Sequence, residues 1–136
     1  MTGLDTYGLV PLVAGDVAAR PEMVVEVRRA IGRFARAHGA DERVLGDIGL
    51  GVTEAASNVV AHAYPEGEAG EIHFAADVED GDLEIVISDD GEGLRRQESD
   101  GAGLGLGVIA AVSADCSIRP GPARGIEVWM RFVLDA

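Results

Sequence analysis

Three short stretches of this chain carry residue types that can do chemistry together. The first is Glu54-Ala-Ala-Ser-Asn58, where a carboxylate and the chain's only asparagine stand four residues apart. On a helix that spacing puts both side chains on one face, with His62 one further turn along. A carboxylate can take a proton, and a neutral amide oxygen can ligate a hard cation. The second is Asp89-x-Gly91-x-Gly93, directly after a β-type run. An aspartate there can accept from an amino group, and the glycines let the chain turn and a ligand approach the backbone. The third is Gly101-Ala-Gly103-Leu104-Gly105-Leu106-Gly107, opening a helical segment. Unpaired N–H groups at a helix start favour an anion. Taken singly, each stretch has a plainer explanation: a solvated polar stripe near Asp47 and Ser57, an Asp-Gly turn, a flexible linker. Leu104, Leu106, Val108 and Ile109 give the third stretch an apolar side to pack, which weighs against the linker. The G-x-G-x-x-G dinucleotide pattern is not matched.

Composition narrows the chemistry further. All eleven basic residues are arginine, so a P-loop lysine, the strand lysine of eukaryote-type kinases and a Schiff base are excluded. Phosphate chemistry here would rest on backbone N–H groups, arginine and a metal. The net charge of −13 argues against a nucleic-acid or anionic-membrane partner. A single cysteine, Cys116, excludes an intramolecular disulfide and sits in an apolar run that reads as core. No apolar run approaches the ~20 residues of a membrane span. The N-terminus does not read as a signal peptide, so a cytoplasmic protein is expected.

The elements that must position these residues follow from periodicity. The length of 136 residues favours one domain, 1–136. Residues 6–14 read as an edge strand because Pro11 does not fit a central one, with Gly15 and Asp16 as its boundary. Pro21 suits the first turn of a helix over 21–38, with Val24, Val27, Ile31, Phe34 and Ala35 inward and Gly39 as the stop. Asp41 is the expected N-cap of a second helix over 42–62, with Leu45, Ile48, Val52, Ala55 and Val59 on its core side. Tyr64-Pro65 ends it. Residues 71–79 alternate as a strand, 79–82 turn, and 83–88 return. A short helix over 104–113 and two strands, 115–119 and 126–134, complete the chain. This order predicts a two-layer α+β sandwich, with a mainly antiparallel mixed sheet and helices on one face.

Together, and in this order on these elements, the three stretches resemble the N box, G1 box and G2 box of the histidine-kinase-like ATPases, the group of gyrase, MutL and histidine kinases. Within it the chain is most similar to bacterial anti-sigma factors that are also serine kinases. EAASNVVAHAYP (Glu54–Pro65) is especially like that branch. The resemblance implies the Bergerat ATP-binding fold, with ATP and Mg²⁺ as cofactors. It implies Glu54 as general base, Asn58 as the side-chain ligand to Mg²⁺, and Asp89 as acceptor from the adenine amino group. Gly91 and Gly93 then lie beside the base, and Gly103, Leu104, Gly105 and Leu106 at the phosphates. A neutral amide completes a magnesium shell without adding charge, which leaves Glu54 available to the attacking hydroxyl. In a chain without lysine, Arg95 and Arg96 are the cations of the link between the glycine motifs that could meet a γ-phosphate. His62 keeps an open role.

The implied function is an ATP-dependent anti-sigma factor with serine/threonine kinase activity. Its partners would be a sigma factor, an anti-anti-sigma antagonist and a second copy in a homodimer formed through the N-terminal strand. The alternative is a partner-switching module that binds ATP without phosphorylating a protein. Two departures from the family pattern bear on that choice: Gly125-Ile126-Glu127 stands where Gly-Thr is frequent, and the link Leu94–Asp100 is shorter than the usual lid.

Overall fold

The computed structural model describes residues 12–92 and 106–134. Five strands form one open sheet: β1 (Val13–Ala18), β2 (Glu71–Glu79), β3 (Asp82–Ser88), β4 (Asp115–Pro120) and β5 (Ile126–Val133). Their spatial order is β1-β2-β3-β5-β4. Every ladder among the described residues is antiparallel, in agreement with the mainly antiparallel sheet expected, and no parallel pair is found among them. Among the described residues three α-helices accompany it: α1 (Pro21–Ala37), α2 (Glu42–Asn58) and α3 (Leu106–Val112).

Local chemistry explains most boundaries. Pro21 opens α1 with its φ already set, and Gly39 leaves it at φ 96°, a conformation that costs glycine little. Asp41 caps α2, its Oδ1 accepting the Val44 N–H at 2.9 Å. Asp80 and Gly81, at φ 53° and 83°, turn β2 into β3, the left-handed pair that matches the twist of a tight hairpin.

The first strand differs from expectation. It runs through Gly15 and Asp16 instead of ending at them. Gly15 faces Phe74 across the ladder, and a Cβ there would press into the Phe74 ring. The glycine makes room for an aromatic neighbour and does not stop the strand. Of the expected 6–14 span, only Leu12 onward lies among the described residues.

The helices cover one face of the sheet. Val27, Ile31, Ile48, Val52, Ile72, Ile85, Ile109 and Met130 are among the buried core side chains between the layers. Leu45, expected in the core, is only partly buried, while Val44 is buried. Cys116 packs at the edge of the same cluster. The opposite face has a small cluster of its own: Ala75, Val86 and Trp129 stand side by side on β2, β3 and β5. Trp129 satisfies its indole N–H on Glu84 Oε1 at 2.9 Å.

Candidate functional site

Glu54 and Asn58 lie in the last turns of α2, both half-buried. Beyond Asn58 the helix does not simply end. Val59–Ala63 form a π-helical turn, a local expansion frequent at functional sites. Tyr64 then leaves it in an extended conformation, as the residue before Pro65 must.

This turn delivers two groups to the loop after β3. The Ala63 carbonyl accepts the Glu92 N–H at 2.8 Å. A Cβ on Gly91 would collide with that same carbonyl, so only glycine fits the approach. The Tyr64 hydroxyl donates to the Glu71 carbonyl at 2.6 Å and accepts N–H groups of Glu71 and Asp90, each at 3.1 Å. Gly70 leaves space for the Tyr64 ring. From the other side, Arg124 Nε donates to the Gly91 carbonyl at 3.1 Å. Gly125, at φ 81°, lets the β4–β5 turn lie against the Asp89 backbone, where a Cβ would strike the Asp89 carbonyl.

Asp89 sits at the foot of this loop, 3% exposed. Its N–H donates to the Ile126 carbonyl at 3.1 Å, and its Oδ1 accepts the Gly91 N–H at 2.8 Å. Its Oδ2 is buried and has no hydrogen-bond partner among the described residues. Buried polar atoms are nearly always paired, so an orphan acceptor calls for an explanation. A ligand N–H group is a sufficient one. Burial is the largest influence on this carboxyl and raises its pKa, against lowering by the backbone of Gly91 and Ile126. The Asp90 charge adds to the rise and His73 opposes it. The residue held in the family's threonine place, Ile126, is buried in the core beside Asp89.

A cavity of about 460 Å³ opens at Asp89, walled by Asp16, His73, Asp90, Arg124 and Glu127 among others. No residue of α2 lines it. Glu54 and Asn58 are therefore tied to Asp89 through the hydrogen-bonded loop and not through a shared pocket wall among the described residues. Gly93, Arg95, Arg96, Gly103, Leu104 and Gly105 lie outside the described residues. Leu106 begins α3 and packs on the core, and α3 lies against α2. Sequence reasoning missed Tyr64 and Arg124. Tyr64 reads as a helix terminator, and its hydroxyl bonds reach Glu71 seven residues on and Asp90 26 residues on; Arg124 lies in a turn and binds a carbonyl 33 residues away.

Known proteins are similar to this chain in sequence and in fold. Serine-protein kinase RsbW of Oceanobacillus iheyensis is 36% identical over 76 residues, 56% of this chain and 48% of that protein. The Bacillus subtilis RsbW is 33% identical over a stretch of the same length and coverage. The chain thus spans about half the length of these relatives. The anti-sigma F factor of Caldanaerobacter subterraneus is 27% identical over 115 residues, 76% of this chain and 80% of that one. The fold is shared with the RsbU and RsbW domains of a Mycobacterium tuberculosis protein, at TM-score 0.67 and 21% identity over 91% of this chain and 32% of that one. It is shared also with the SiaB–SiaC complex of Pseudomonas aeruginosa, at TM-score 0.66 and 18% identity over 90% and 89%. Residues 17–132 match the family model of the histidine kinase-like ATPase domain, and the chain belongs to that family.

Proposed function

We propose that residues 1–136 form one ATP-binding domain of an anti-sigma regulator that phosphorylates a serine or threonine of an anti-anti-sigma antagonist. The observation that carries this reading is the orphan Oδ2 of Asp89, a buried acceptor beside a loop that only glycine lets pass. The adenine amino group supplies the missing donor. Names of relatives support the rest: serine-protein kinase and anti-sigma F factor.

Each residue then has a task. Asp89 and Gly91 receive the base, with Gly93 on the same loop. Gly103, Leu104, Gly105 and Leu106 face the phosphates, with Arg95 or Arg96 near the γ-phosphate. Among the described residues no trio of His, Cys, Asp or Glu could hold a metal ion. A cation carried in by the nucleotide would take one neutral oxygen from Asn58. Mg²⁺ bound there would offset charge on the transferring phosphoryl group. Glu54, one turn from Asn58 and free of ion pairs among the described residues, accepts the proton of the attacking hydroxyl. A sigma factor is the second partner, and a homodimer is the proposed assembly. No helix of the described residues is long and apolar enough to cross a membrane.

The test is incubation with labelled ATP, Mg²⁺ and candidate antagonist proteins, followed by phosphoserine analysis. Label on an antagonist serine, lost in Glu54→Gln, is the expected result. Tight ATP binding with no label on any antagonist would favour the switching module, and no ATP binding would overturn both.

A further inference from the structure

His73 is the middle residue of an unusual bridge. It projects from β2 on the helix-free face, and its side chain is only 19% exposed. Nδ1 lies 2.6 Å from Asp16 Oδ1 on the edge strand β1. Nε2 lies 2.5 Å from Asp90 Oδ2, in the loop after β3. Ionised carboxylates only accept hydrogen bonds, and a neutral imidazole has a single N–H. Both contacts are therefore satisfied only by the doubly protonated ring. Asp90 directly follows Asp89, and its own N–H is held by Tyr64. The bridge thus fastens the loop to the far edge of the sheet.

We propose that His73, held as an imidazolium between Asp16 and Asp90, is a positioning residue for Asp89, so that loop order and nucleotide affinity decline together when the ring loses its second proton. The nucleotide half of this statement rests on Asp89 as the adenine-reading carboxylate; the loop half does not.

The surroundings agree with the geometry. Burial alone would push the imidazole down, yet hydrogen bonds to Asp90 and Asp16 and their charges leave its pKa raised above the ordinary 6.5. Other charged groups around the ring are Asp89, Glu127 on β5 and Arg124 in the β4–β5 turn, all lining the same cavity. Glu71 lies two residues along β2, so it shares the face. Acidic neighbours outnumber the one arginine. Because the folded pKa is raised, the bridge is complete below the ordinary histidine value and is lost as pH rises through the folded one.

Two measurements test this. In nucleotide-free protein, NMR titration of the His73 ring should give a pKa above 6.5, with Gly91 and Glu92 amide shifts moving at the same midpoint. Asp16→Asn removes one carboxylate partner and should lower that midpoint with the fold kept, and His73→Gln should abolish the loop transition. Calorimetry should show ATP affinity falling about tenfold as pH rises through that midpoint, and no such fall in His73→Gln. A ring that titrates at or below the free value, or loop amides indifferent to it, overturns the proposal. So does an unchanged ATP profile in His73→Gln. A wild type that binds no ATP at any pH removes the proposed function, while the nucleotide-free titration still decides the bridge.

Discussion

Helices α1 and α2 are both 17 residues long, and they divide the work of the domain unequally. α1 is regular from Pro21 to its glycine exit, with Val24, Val27, Ile31 and Ala35 buried along one side. α2 begins as conventionally, with the Asp41 cap, and buries Val44, Ile48, Val52, Ala55 and Ala56. Its last turns differ. They carry Glu54 and Asn58 and then widen into the π-helical turn that meets the loop of Asp89. The same hydrophobic stripe thus serves stability alone in α1, whereas in α2 it also aims polar groups. If that division is right, substitutions in the two helices should separate activity from stability.

The largest separation is expected at Glu54. Glu54→Gln keeps shape and removes the proposed proton acceptor, so phosphoryl transfer should drop by about 10²–10⁴ with ATP binding and melting temperature nearly unchanged. Single-turnover kinetics with calorimetric binding would check it, and equal turnover would return Glu54 to a surface stripe.

Ile31→Ala should do the reverse. Ile31 is fully buried in α1, and the truncation should cost about 2–5 kcal/mol of unfolding free energy. The surviving folded protein should bind ATP normally in calorimetry once corrected for its folded fraction.

Asp89→Asn probes the loop that α2 secures. ATP affinity should fall by about one to two orders of magnitude, the scale of a charged hydrogen bond. Stability should move the other way. Burial raises the Asp89 pKa, so the ionised carboxylate costs stability above its unfolded value. The variant should therefore unfold at higher denaturant at neutral pH, and lower stability there would contradict the origin assigned to the shift.

The smallest effect is expected at the start of α2. Asp41→Ala removes the cap that accepts the Val44 N–H and should cost about 1 kcal/mol, with turnover per folded molecule unaltered. A large activity loss would show that the whole of α2, and not only its end, is tuned for the site.

What was legible in the sequence was what is local. The cap at Asp41, the exit at Gly39 and the turn at Asp80-Gly81 depend on residues within a few positions. The strand and helix order followed from periodicity, and Asp89 stood out by its glycines. What was not legible depends on partners distant in the chain. Gly15 and Asp16 look like stop signals, but one yields to Phe74 and the other meets His73 across the sheet. The π-helical turn keeps the apolar pattern of an ordinary helix, so nothing in residues 59–63 announces it. Tyr64 is legible only as the residue before a proline.

The Tyr64 hydroxyl has a mechanical consequence. A phenolic oxygen has one proton to give and two lone pairs to share, and here all three are engaged, with Glu71 twice and Asp90 once. Three segments of chain thus meet on a single atom: the exit of α2, the first residue of β2 and the loop after β3. None can leave without stripping a partner from that oxygen. Fraying at this end of the sheet is therefore cooperative, and the three segments open as one small unit. Hydrogen exchange at the Glu71 and Asp90 amides should report a common opening free energy, and nucleotide release through that opening would be all-or-none.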